Sequence, residues 1–114
     1  MDYKHPEALV TTEWLAENIG ASDIAIVDAS FYLPAAERNP SAEFSAVHIP
    51  GAVFFDINDI ADSETDLPHM LPSPEKFSSR MRSLGIGSEH HVICYDTSGG
   101  PMAAMRAWWT FRAF

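Results

Sequence analysis

The stretch FSAVHIPGAVFF, residues 44–55, decides how this chain folds. Its first part continues a helix opened by Pro40, with Phe44 and Val47 at helical spacing. Pro50 and Gly51 then break the helix and turn the chain, and the hydrophobic run that follows reads as a strand over 52–54. His48, two residues before Pro50, reads as the residue that pins this corner by a hydrogen bond. Helix, tight turn, buried strand is one half of a repeating α/β unit.

The same alternation extends in both directions. Upstream, IAIVD at 24–28 is a short β-branched run suited to a buried parallel strand, and LVTTEWLAENIG before it is a helix entered at Thr11 or Thr12 and stopped by Gly20. The short segment at 8–10, ALV, is expected as a further strand. Downstream, SPEKFSSRMRSLG is a complete helical sentence. Ser73 caps it, Pro74 takes the first position, Glu75 sits at the positive end of the dipole and Gly85 ends it. HHVICY supplies a third core strand over 91–95, then a loop at 96–100 and a helix from Pro101 onward. The predicted class is α/β, a doubly wound and mostly parallel sheet flanked by helices.

The last helix is apolar on two sides. Ala104, Trp108 and Phe111 form one stripe and Met102, Met105 and Trp109 another, with no cap before Phe114. A strand–helix–strand crossover ordinarily delivers another strand after its helix. The expectation is a single domain, residues 1–114, that is truncated before its last strand.

Composition narrows the function. Sixteen acidic against seven basic residues give a net charge of −9, which opposes binding to nucleic acid or to an anionic membrane surface. No run approaches the roughly 18 apolar residues of a membrane span, and MDYKHPEALV has no signal-peptide core. A lone cysteine makes no internal disulfide, so a cytoplasmic protein is expected. Five histidines and one cysteine show no ligand spacing, and neither a metal nor a cofactor is predicted.

Residues 44–55 resemble the rhodanese (sulfurtransferase) signature: an aromatic, three residues, a histidine, an aliphatic, Pro-Gly-Ala and a hydrophobic strand. VDAS before it, FFDI and HMLP after it, and VICYD and RAWWTFRAF at the end extend the resemblance over residues 8–114. Together they are similar to the N-terminal half of a two-domain 3-mercaptopyruvate or thiosulfate sulfurtransferase. That resemblance implies transfer of sulfane sulfur to a thiophilic acceptor through a cysteine persulfide.

The nucleophile of such chemistry starts the loop after a strand, where backbone N–H groups and a helix N-terminus hold a thiolate. Here that position is Asp96, and Cys94 lies two residues earlier inside the strand. Family N-terminal domains commonly carry aspartate there and are silent, so the persulfide cysteine is expected in a second domain. Cys94 reads as a buried small hydrophobe. A cysteine phosphatase needs arginine six residues after its cysteine, and Gly100 stands there.

The resemblance further implies that the first domain lends a histidine and an acidic residue to a cleft between domains. The histidine falls on His69 and the acidic position on Asn58, an amide that cannot stabilise an imidazolium as a carboxylate does. His69 either serves that cleft or caps a Pro-rich loop. Phe31, with Tyr32, falls where the family has aromatics facing the cleft, and core packing is the competing reading. His48, Pro50 and Gly51 are structural. The implied partner is a C-terminal rhodanese domain; the family's sheet order further implies that strand 91–95 is left as an open edge, with homodimerisation through it as a second possibility. The alternative function is a stand-alone, non-catalytic binding module with this fold.

Overall fold

The computed structural model describes residues 9–32, 36–65, 67, 70–97 and 102–114. Helix α1 (Thr12–Asn18) leads into β1 (Ile24–Asp28), α2 (Pro40–Ala46), β2 (Val53–Phe54), α3 (Ile57–Ile60), α4 (Pro74–Leu84), β3 (His91–Tyr95) and α5 (Met102–Ala113). Helices α1, α2 and α4 each start where a short polar side chain replaces a missing backbone partner. Thr11 accepts from the Trp14 amide, Asn39 from Ala42, and Ser73 from Lys76. Gly85 closes α4 at φ +78°, a left-handed conformation that side chains resist.

The sheet is parallel, in the order β2-β1-β3. Val27 lies opposite Val53 on one side and opposite Cys94 on the other. Side chains alternate across a strand, so Val27, Val92 and Cys94 share one face, while Ile26 and Ile93 share the other. The first face carries the main core: Val27, Phe55, Ile57, Ile60, Phe77, Met81, Ala103 and Ala107. Helices α3, α4 and α5 cover it, and Phe111 of α5 meets both Phe55 and Phe77 with ring centroids 5.5 Å apart. On the opposite face, Trp14 of α1 meets His91 edge-on at 5.7 Å and Phe44 of α2 meets Phe54 at 5.7 Å. Helices on both faces of a parallel sheet make the fold doubly wound.

Three expectations need correction. Leu9 and Val10 form no strand and are exposed, and Ala8 lies outside the described residues. Strand β2 is shorter than 52–54 because the Ala52 amide is taken by Ile49 O, which keeps it in the Pro-Gly turn. The fully buried positions of α5 are Ala103, Ala107 and Thr110, and of the expected stripe Ala104, Trp108 and Phe111 it is Phe111 that packs, partly buried, against the core. Small side chains let that helix approach the sheet closely, so Trp108 remains 40% exposed beside Met102, Met105 and Trp109. Arg106 and Arg112 place their guanidinium groups over Trp109 and Trp108, at 5.2 and 5.1 Å.

Among the described residues, no helix is long and apolar enough to cross a membrane.

Candidate functional site

In a sheet of order β2-β1-β3 the chain runs outward from β1 to β2, then crosses back to β3. The connections leaving β1 and β3 therefore diverge at the carboxyl ends of the strands, where α/β sheets hold their ligands. Both strands end in the same chemistry. β1 runs out through Asp28-Ala29-Ser30, and β3 through Tyr95-Asp96-Thr97.

These two ends are tied by a polar network. Asp28 is 3% exposed and its Oδ1 accepts from the Ser30 amide at 2.9 Å. The Thr97 amide donates to Ser30 Oγ at 2.9 Å, the two hydroxyls lie 3.1 Å apart, and the Tyr32 hydroxyl reaches Thr97 Oγ1. Ala29 N donates to Tyr95 O at 2.9 Å. Arg38 extends the network outward. It forks onto Glu43 at 2.6 and 3.0 Å and stacks 3.9 Å above the Tyr32 ring. The Arg38 hydrogen bond holds the Glu43 carboxyl below its ordinary range.

Asp96 opens the loop that leads to α5. Its Oδ2 accepts from the Ala104 amide at 2.8 Å, in the first turn of that helix. A carboxylate thus sits at the positive end of α5, where the helix N-terminus favours negative charge. Cys94 stands two residues back in β3, on the face that meets the core. Burial pushes its thiol up to about 12, so it is protonated at neutral pH. It is half-buried rather than fully buried.

The signature corner is built as a clamp. His48 Nδ1 lies 2.7 Å from Phe44 O, and its ring stacks on Phe44 at 4.1 Å. Gly51 takes φ +83° in the turn after Pro50. The Ile49 amide donates to the Tyr95 hydroxyl at 3.2 Å, which fastens the corner to the end of β3. Burial raises the Tyr95 phenol and so keeps it protonated.

The remaining candidates are dispersed. Phe31 is half-buried and packs against the core. Asn58 is exposed on α3, where its backbone N–H donates to Asp56 Oδ1 at 3.0 Å. Its neighbour Asp59 is held by Arg80 of α4 at 2.6 Å. His69 lies outside the described residues. A shallow depression of about 390 Å³ on α4 is lined by Pro74, Glu75, Ser78, Ser79 and Arg82, none of which belongs to the strand ends. Among the described residues, no three His, Cys, Asp or Glu side chains gather as a metal site. Sequence reasoning missed the Ser30–Thr97–Tyr32 network. Its signal was the pair VDAS and YDTS, each placing an acid and at least one hydroxyl at the carboxyl end of a strand.

A parallel doubly wound sheet, with the His-Ile-Pro-Gly corner fastened to the end of the strand that leads through Asp96 to α5, defines a rhodanese-type domain. The rhodanese-like domain profile matches residues 11–114, and the chain belongs to that family. It is 47% identical over 108 residues to thiosulfate/3-mercaptopyruvate sulfurtransferase 2 of Arabidopsis thaliana, covering 95% of this chain and 31% of that protein. It is 48% identical over 106 residues to the 3-mercaptopyruvate sulfurtransferase of Escherichia coli K12, covering 92% and 37% respectively. The crystal structure of SseA from Escherichia coli, a 3-mercaptopyruvate sulfurtransferase structure, superposes with a TM-score of 0.87 at 47% identity. That match covers 93% of this chain and 40% of the other. The chain therefore spans about a third of the length of the curated relatives it matches.

Proposed function

We infer that this chain is the non-catalytic N-terminal half of a sulfurtransferase. That enzyme moves sulfane sulfur from 3-mercaptopyruvate or thiosulfate to a thiophilic acceptor. The persulfide forms on a cysteine of a second, C-terminal rhodanese domain. The observation that carries this reading is the occupancy of the loop after β3. Asp96 fills the nucleophile position and its carboxylate takes the helix N-terminal amide of Ala104. An anionic sulfur donor would meet a like charge there, and the lone thiol is protonated inside a strand.

The named relatives support the donors: they are thiosulfate and 3-mercaptopyruvate sulfurtransferases. Within the whole enzyme, this half would complete a cleft between domains, with Phe31, Asn58 and His69 as its contributions. Asn58 can orient a histidine through one hydrogen bond but supplies no charge to balance an imidazolium. We place the working enzyme in the cytoplasm.

The test is a sulfur-transfer assay of this chain with each donor, alone and mixed with a separately expressed C-terminal rhodanese domain. Intact mass is followed for a retained sulfur atom. No turnover and no added sulfur on the chain alone, with turnover in the mixture exceeding that of the second domain alone, is the expected result. A persulfide on Cys94 of the isolated chain refutes the assignment. No gain on mixing favours the stand-alone binding module.

A further inference from the structure

Residues on both sides of Phe31 are tied to the exit of β3. Ala29 N donates to Tyr95 O at 2.9 Å, the Thr97 amide donates to Ser30 Oγ at 2.9 Å, and the Tyr32 hydroxyl meets Thr97 Oγ1. Phe31 itself lies half-buried, packed against the core. Two of these ties converge on Thr97. Ser30 is 3% exposed, so water replaces its partner there only at a cost.

The far end of the network sets the direction of its protons. The Glu43 carboxylate only accepts, and its Oε1 lies 3.5 Å from the Tyr32 hydroxyl. Tyr32 therefore donates to Glu43, Thr97 to Tyr32 and Ser30 to Thr97, an order in which each hydroxyl donates once and accepts once. Arg38 balances the carboxylate by forking onto it and stacks 3.9 Å above the Tyr32 ring. Thr97 thus joins a buried serine to a clamped tyrosine and brackets the residue between them.

We propose that Thr97 is a positioning residue of the sulfurtransferase: it staples Ser30 and Tyr32, and so holds Phe31 as a fixed apolar wall for the sulfur donor in the cleft between domains. The inference rests on the reading of this chain as half of that enzyme. An apolar ring binds ground state and transition state alike. Loss of the staple lowers the fraction of molecules with the wall in place, which weakens donor binding and leaves the chemical step untouched.

The test compares wild type, Thr97→Val and Thr97→Ser, each mixed with the C-terminal rhodanese domain, with 3-mercaptopyruvate and with thiosulfate as donor. Valine keeps the shape of threonine without its hydroxyl, and serine keeps the hydroxyl. Net loss of one hydrogen bond raises KM about fivefold in Thr97→Val. There kcat is unchanged, and Thr97→Ser restores KM. Phe31→Ala raises KM as well, and adding Thr97→Val to it changes nothing further, because the staple acts through Phe31. In the chain alone, the backbone order parameter at Phe31 falls from about 0.85 to about 0.6 in Thr97→Val and holds in Thr97→Ser. If Thr97→Val fails to fold by circular dichroism, Tyr32→Phe removes the outer hydroxyl and takes its place in every arm. An unchanged KM overturns the proposal. So does a fall in kcat alone, which a merely structural role would give, or an additive effect in the double variant. A wild-type mixture without turnover refutes the reading of the whole enzyme and the donor role with it, whereas unchanged order parameters refute the staple itself.

Discussion

Asp96→Cys, with Cys94 retained, puts two thiols of opposite environment in one molecule. The introduced thiol occupies the start of the loop, where the Asp96 carboxylate now takes the Ala104 amide at 2.8 Å. A helix N-terminus and one N–H donor lower an ordinary thiol from about 8.5 to about 7.5. Cys94 ionises at about 12 because burial removes its anion from water. At pH 7 the introduced thiol is therefore about 10⁴-fold more ionised. Its lower basicity gives back about 10² in intrinsic nucleophilicity. The net preference is about two hundredfold.

The assay is alkylation by iodoacetamide at several pH values, followed by peptide mapping. The variant also loses the carboxylate cap on α5, at a cost of about 1 kcal/mol, and Tm falls by about 4–8 °C. The reasoning is refuted if Cys94 is labelled at a comparable rate, or if the introduced thiol ionises at or above the ordinary value.

Three further outcomes are expected. The Cys94 thiol is raised in the fold, so the unfolded chain ionises first as pH climbs. The Cys94 part of stability is lost from about pH 9 upward, reaching about 1.4 kcal/mol at pH 10, and denaturant titrations of Cys94→Ala show the alkaline loss reduced by that amount, the raised Tyr95 phenol accounting for a remainder. The Glu43 carboxyl is depressed by its hydrogen bond to Arg38, so its contribution is present above the ordinary carboxylate range and disappears as pH falls through the folded value. In Arg38→Ala an NMR titration of Glu43 returns towards the ordinary carboxylate range, and an unchanged midpoint removes Arg38 as the cause. Gly51 sits at φ +83° with no atom within 4 Å of a built Cβ, so Gly51→Ala costs backbone strain alone. About 1–2 kcal/mol is expected in chemical denaturation, and no measurable loss argues against the left-handed turn.

Local chemistry made much of the fold legible. The run Ile24–Asp28 and the capped helix Pro74–Leu84 each carry their own start, period and stop, and the structure forms both over the expected residues. The four-residue α3 was not legible, because its stabilisation is tertiary. Ile57 and Ile60 insert into the core under α4, and Asp56 caps a turn too short to show a period. The stripe of α5 was misassigned for a related reason. Hydrophobicity marks Trp108, but close approach to the sheet selects the small Ala103 and Ala107.

The candidate site divides along the same line. Sequence alone placed Asp96 at the head of the loop and Cys94 within the strand, because both follow from position relative to a β-run. It also marked the corner at His48, Pro50 and Gly51, whose conformations are local. Which atoms those groups meet was a matter of distant contacts. The Asp96 carboxylate on Ala104, the Tyr95 hydroxyl on Ile49, and Ser30 against Thr97 all join segments apart in the chain. Periodicity reports a residue's relation to its neighbours within a turn or a pleat. Partners brought together by strand order exist only once the sheet has been assembled.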